Sequence, residues 1–393
     1  MRLMLLIFCC LCACAFAEPI RVWTDDQGRT VEARYLSSDD SVVVLQLEDG
    51  RESRFPIAKL SPEDLTYLQK IRGAQTEHDP TKTAQNLPAP NFQSDWPATV
   101  KNASSGEVTT VLEDAEKGEF IYESDHYQFI SDVRLAQSLV KGFATVFEST
   151  HAFCRALPLG LNQVPANGRK HQIFLFEKVK TYWKKGGPLN SLGVYLSDSK
   201  IIMVPLTSLG VKKVGSGYML NLDECSKTLP HELTHQLTPD PYYEIGSVGW
   251  FIEGIAEYVA TTPYRSGTFM AASNVDEIID YATAFDRDSM VGRNVGEVIQ
   301  MPPLEQFLMR NYQDPYPDMN QLYAVSLLLT TYFIKMDGEG DGRRLQAFLK
   351  ALHAGKKGQE ALDFLLDGRS YGQLEQDVAK AWKSKGIRIF FAG

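Results

Sequence analysis

His231, Glu232 and His235 stand in the order His-Glu-Leu-Thr-His, two imidazoles four residues apart with a carboxylate beside the first. On an α-helix four residues advance about 400°, so the two histidines project from nearly the same face, one turn apart. Imidazoles so placed can bind one zinc ion, and Glu232 can face a zinc-held water and take its proton. The pattern has company. The stretch from Trp250 to Tyr258 reads as a second helix, with Glu253 and Glu257 four residues apart on one face. Glu253 follows His235 by 18 positions, room for a loop and a returning helix to bring a third ligand. Two His and one Glu make a catalytic zinc set with the fourth position open, whereas structural zinc sites are closed by Cys or further His.

The segments "LPHELTHQL" and "GWFIEGIAEYVA" resemble the gluzincin zinc metallopeptidases, and more narrowly the peptidase MA-like family of exported bacterial proteins. A broader likeness spans roughly residues 119 to 385, with "YESDHYQF" upstream and "LYAVSLLLTTYF" downstream. The resemblance implies zinc held by His231, His235 and Glu253, Glu232 as general base, and Glu257 orienting a histidine ligand from behind. It also sets a tyrosine-bearing helix beside the site, which favours Tyr323 over Tyr258 as the group that steadies the oxyanion; packing is the plain alternative for each. Strand 200–204 could offer its edge to an extended peptide, or be a buried core strand. Two features depart from the family pattern. The aminopeptidase signature G-x-M-E-N is absent, and Pro230 directly precedes His231. A proline inside a helix removes a hydrogen bond, so either the active helix begins near Pro230 or an earlier helix from Asp223 kinks there.

The elements that must position these residues suggest an α+β fold, a gluzincin-like zinc peptidase domain preceded by a small SH3-like β-barrel. Residues 20–60 read as short strands around Trp23, Tyr35, Val42 to Leu47 and Phe55, followed by a helix start at Ser61-Pro62 with Asp64 completing a capping-box-like pattern. The stretches "RVWTDDQGRTVEARYL", "VVVLQLEDGR" and "FPIAKLSPEDLTYL" resemble the SLA-homology, SH3-like module, which implies docking or spacing, not chemistry. Trp23 and Tyr35 read as core aromatics or as the lining of a peptide groove. The expected division is a signal peptide over 1–17, the SH3-like module over 18–72, a Thr/Asn/Pro/Ser-rich linker over 73–105 and the peptidase domain over 106–393. In that domain, Leu135, Leu139, Phe143 and Phe147 mark a helix, 193–205 reads as a hairpin turning at Ser197 to Ser199, and Ser370 with Gln373 caps a last helix. His126 and His171 read as structural histidines. Asp337 to Gly342 has the spacing of a calcium loop, but Phe348 stands where the bidentate acid belongs, so an acidic interhelical turn is expected.

At 393 residues, 44% hydrophobic and 23% charged, the chain can bury sizeable cores. A formal net charge of -9 without long basic runs argues against nucleic acid as a partner. Met1-Arg2, an apolar run to Leu11 and Ala15-Phe16-Ala17 form an export signal, giving a periplasmic or extracellular chain that starts at Glu18. Lipid attachment at Cys14 is the rival processing. Removal of the signal leaves Cys154 and Cys225, which pair only if their Cα atoms lie about 4.4 to 6.8 Å apart. Asn102 to Ser104 fits a glycosylation acceptor. The function expected is hydrolysis of peptide or protein substrates, with Zn2+ as cofactor and cell-envelope or protein docking through the N-terminal module. The alternative is an inactive peptidase fold that binds peptide or cell wall.

Overall fold

The computed structural model describes residues 21–38, 42–47, 52–61, 64–65, 68, 89–102, 106–165, 169–189, 191–197, 199–221, 227–243, 249–286, 291–310 and 316–392. The export signal, Cys225, Asp223 and residues 103 and 104 of the acceptor pattern lie outside them. The chain divides into two compact units, residues 1–86 with 183–186, and residues 87–182 with 187–393.

In the first unit, β1 (Arg21–Thr24), β2 (Thr30–Ser38), β3 (Val42–Leu47) and β4 (Glu52–Pro56) form an antiparallel meander in that order. Alternation turns Trp23, Ala33, Tyr35, Val43 and Leu45 inward, onto Leu60 and Leu68. Trp23 and Tyr35 are buried with their rings 6.5 Å apart, so they are core and not groove. The expected barrel does not close: among the described residues β1 and β4 do not pair. The free edge of β1 is taken instead by the turn after β4. Thr24 N donates to Asp64 Oδ2 at 2.6 Å, Ser61 N donates to Thr24 O, and Asp25 bridges Leu60. Asp64 also accepts from Ser61 Oγ and pairs with Arg21 at 2.6 Å, so the capping residue doubles as the edge seal.

The second unit begins with β5 (Val100–Lys101), β6 (Thr109–Asp114), β7 (Glu119–Glu123) and β8 (Tyr127–Ser131), then α1 (Gln137–Ala156), β9 (His171–Phe176), α2 (Val179–Lys184), β10 (Val194–Leu196) and β11 (Ile201–Pro205). Six of these strands make one mixed sheet, ordered β10-β11-β9-β8-β7-β6. The segment β8-α1-β9 is a parallel crossover, and β10 returns on β11 as the expected antiparallel hairpin. Phe143 and Phe147 of α1 pack edge-on against Phe129 of β8, 5.4 and 5.0 Å between centroids. Residues 89–102, which composition assigns to the linker, are packed on this unit. Phe92 joins its core, Trp96 Nε1 donates to Asp341 O at 2.7 Å, and β5 pairs with the short strand Thr268–Phe269.

After the hairpin β12 (Val211–Val214)–β13 (Gly217–Leu220) the chain turns mostly helical: α3 (Thr228–Leu237), α4 (Gly249–Thr261), α5 (Val275–Thr283), α6 (Leu304–Leu308), α7 (Met319–Lys335), α8 (Arg343–His353), α9 (Gly358–Leu366) and α10 (Tyr371–Lys383). Ser370 and Gln373 form the capping box of α10. Asp337 accepts from Arg344 at 3.0 Å and Arg369 at 2.8 Å, so its carboxylate is an ion-paired joint between helices. Every residue of α4 is buried. It crosses α7 so closely that a Cβ on Gly254 would lie 2.1 Å from Thr330 Oγ1 and 2.4 Å from Ser326 O. Gly254→Ala should therefore force the two helices apart, at a cost of about 1 to 3 kcal/mol. Urea unfolding checks this; an unchanged midpoint would mean that the crossing can relax freely.

His126 and His171 are joined by His151 of α1. His126 stacks on His151 at 3.9 Å, and His151 and His171 lie 6.3 Å apart. The bond from His126 Nδ1 to buried Glu148, 2.6 Å, raises the His126 pKa, whereas burial pushes His151 down to about 3 and His171 to about 4. The last two stay neutral in the fold but take up protons near pH 6.5 once unfolded, so their contribution is complete above pH 6.5 and is lost as pH falls toward 4. His126 works in the opposite sense and in another window: its contribution is complete below pH 6.5 and is lost as pH rises through its raised pKa. His171→Phe should flatten the dependence of stability on pH between 6.5 and 4 by about 1.4 kcal/mol per pH unit, one proton's worth. Denaturant titrations at several pH values give both slopes, and parallel slopes would refute the assignment.

Candidate metal centre

The His-Glu-x-x-His helix α3 starts at Thr228, which puts Pro230 in the first turn, where a missing N–H costs no intrahelical bond. This favours a start near Pro230 over a kinked longer helix. Leu229 and Leu233 enter the core of the sheet and α1, while Leu237 enters the helical core. With those positions anchored on both sides, His231 and His235 are left to face α4. Thr234, on the buried flank, back-bonds to Pro230 O and meets the buried Cys154 thiol at 3.8 Å.

His231 Nε2 and His235 Nε2 lie 3.0 Å apart, and Glu253 Oε2 of α4 lies 3.2 Å from the first and 3.5 Å from the second. Among the described residues these three form the one group of His, Cys, Asp or Glu close enough to hold a metal ion. Tetrahedral zinc with bonds of about 2.0 to 2.1 Å holds its ligand atoms about 3.3 Å from one another. The three separations bracket that value. Glu253 Oε2 is buried with no aligned hydrogen-bond donor, an arrangement that suits a metal ligand better than a structural carboxylate. The residues present fit zinc.

Electrostatics are strong in so dry a place. Burial opposes charge on His231, but Glu253 and Glu257 outweigh it and raise its pKa to about 10. Burial likewise opposes charge on Glu253, yet His235 and His231 hold its carboxyl well below the usual range. Glu257 behaves the same way, with His231 and Arg293 as its partners. Its Oε1 lies 3.1 Å from His231 Nδ1, which makes Nδ1 the donor and leaves Nε2 free as a ligand.

Glu232, on the same helix, lies outside this set. Its Oε2 accepts from Tyr195 N at 2.7 Å, on the strand β10 that ends the sheet. Of the two readings of strand 200–204 the buried core strand holds: among the described residues β11 is flanked by β9 and β10, and β10 ends the sheet on that side. Leu192, Gly193, Val204, Ser208 and Thr228 line a shallow recess beside Glu232. Tyr323 of α7 sets its ring edge-on to His231, centroids 6.1 Å apart. The Glu253 charge and burial hold its hydroxyl protonated, well above the ordinary phenol range. Tyr258 is not at the centre; it is buried in the helical core with its hydroxyl toward Asn274.

Three neighbours of the centre carried no local signal. Tyr195 enters through its backbone, and Tyr281 and Arg293 enter from α5 and the loop after it. Arg293 binds Glu257 through both Nε and Nη2. The glycines at 292 and 296 hint at a shaped loop, but nothing local says where it leads.

Residues 15–76 match the family model of SLA1 homology domain 1, SHD1. No curated protein matches the chain. The N-terminal part of the chain carries this SH3-like module.

Proposed function

We propose that this chain is a zinc metallopeptidase with a gluzincin-like domain that hydrolyses peptide bonds in peptides or proteins. The observation that carries the reading is the convergence of His231 Nε2, His235 Nε2 and Glu253 Oε2, with Glu232 alongside and outside the set. The placement of the third carboxylate on the helix after the His-Glu-x-x-His helix, beside a mixed sheet with an antiparallel edge, supports the family likeness.

A bound zinc ion would supply Lewis acidity to a water and to the scissile carbonyl. Glu232 takes a proton from the attacking water and returns it to the leaving amine nitrogen. The bond from Tyr195 N holds one oxygen of Glu232, which leaves the other for the proton. Strand β10 offers the backbone edge on which an extended peptide can lie beside Glu232. The Tyr323 hydroxyl, kept protonated by Glu253 and burial, donates to the developing oxyanion. Glu257 keeps His231 in one tautomer and orientation. The rival reading, an inactive fold that binds peptide or cell wall, shares the metal site and lacks turnover.

Zinc content and hydrolysis of an unbiased peptide library, with and without a chelator, separate the two. Chelator-sensitive cleavage is expected; zinc without cleavage overturns the enzyme. Three variants assign the carboxylates. Glu232→Gln should keep zinc and lose nearly all turnover. Glu253→Gln should weaken zinc binding together with turnover, and Glu257→Gln should cost about 10 to 100-fold in affinity or rate. An empty Glu257→Gln beside a full Glu253→Gln would reverse the ligand assignment. On the signal-like residues 1–17 we place the activity in the periplasm or outside the cell. Mass spectrometry of the exported protein should find Glu18 as its first residue, and a diacylated Cys14 would make it membrane-anchored instead.

A further inference from the structure

We propose that Arg293 is a positioning residue of the metal centre, holding His231 through Glu257 and Tyr323 in place through stacking; the inference rests on the zinc reading above. Glu257 is 1% exposed, and a buried carboxylate must be partnered on more than one side to remain charged. His231 Nδ1 supplies one partner, on Oε1. Arg293 supplies two more contacts beside the Tyr281 hydroxyl, which also bonds Glu257: Nη2 donates to that same Oε1, and Nε donates to Oε2 at 3.2 Å. A two-pronged bond from a planar guanidinium fixes the plane of the carboxylate as well as its position. The oxygen on which His231 rests is thus set by the arginine.

The same guanidinium lies 4.4 Å over the ring of Tyr323 and 5.5 Å over that of Tyr281. One side chain therefore ties the helix of the third ligand to the helix of the tyrosine facing His231. The loop that carries it is built to deliver it. Arg293 N donates to Tyr281 O at 2.7 Å, Asn294 N to Ala284 O and Val295 N to Ala282 O, which folds the loop back onto the end of α5. Gly292 has φ 117°, and a Cβ there would lie 2.2 Å from Ala284 O, so only glycine permits this return. A lysine could match the charge at 293 but not the fork.

The test is zinc affinity of the full chain by chelator competition, together with the visible spectrum of the cobalt-substituted protein. Arg293→Lys keeps the buried charge balance, and should retain the unfolding midpoint while losing about 10 to 100-fold in zinc affinity, with a shifted cobalt spectrum. Glu257→Gln with Arg293→Met removes both charges together, and should weaken zinc no more than Glu257→Gln alone, because the arginine acts through that carboxylate. Zinc held equally by wild type and Arg293→Lys, with an unchanged spectrum, overturns the role of Arg293 and leaves the zinc reading intact. Losses in the double variant that multiply as independent effects also overturn it. A wild-type chain that takes no zinc overturns both.

Discussion

Two carboxylates on one buried helix, Glu253 and Glu257, set the terms for the rest of the second unit. Neither can stay charged in a dry interior without partners, and α4 has none to give, since every other residue on it is apolar, small or occupied in packing. The partners come from three separate places: His231 and His235 from α3, the Tyr281 hydroxyl from α5, and Arg293 from the loop after it. Breaking any one of them leaves a buried charge short of its complement. The cluster is thus a point at which four elements are held in register.

Packing makes that register attainable. Helix α3 belongs to two cores at once, through Leu229 and Leu233 on one side and Leu237 on the other, so it cannot rotate its histidines away without drawing apolar surface out of one of them. At Gly254, one residue after Glu253, α4 lies directly against α7, and this close approach brings Tyr323 within reach of His231. On the other flank the sheet ends in a three-residue strand whose Tyr195 N–H is bound by Glu232, so the proposed base and the open strand edge share a hydrogen bond. A peptide laid along that edge would meet the carboxylate and the proposed ion together.

The SH3-like module follows a separate logic. Among the described residues its buried core holds seven side chains, and its first strand is short. Asp64 compensates by sealing the edge of β1, and Arg21 compensates the charge that Asp64 brings. An edge closed by a side chain and a turn is protected from pairing with another chain, as a closed barrel would be, without a fifth strand.

What could be read along the chain was whatever depends on a few neighbouring residues. The helical repeat is local, so two histidines at a spacing of four share a face wherever that helix goes, and the same holds for Glu253 with Glu257. The hairpin at 197–200 and the cap at Ser370 are local for the same reason. Tertiary structure alone decided the rest. It made Tyr323 and not Tyr258 the tyrosine at the centre, and β10 and not β11 the open edge, because both depend on which elements become neighbours. It drew Trp96 out of an apparent linker onto Asp341, 245 residues away, and Arg293 out of a loop onto Glu257. An arginine in a loop looks the same in sequence whether it points at water or at a buried acid. Only the fold, by burying that acid without enough partners of its own, gives the arginine something to hold.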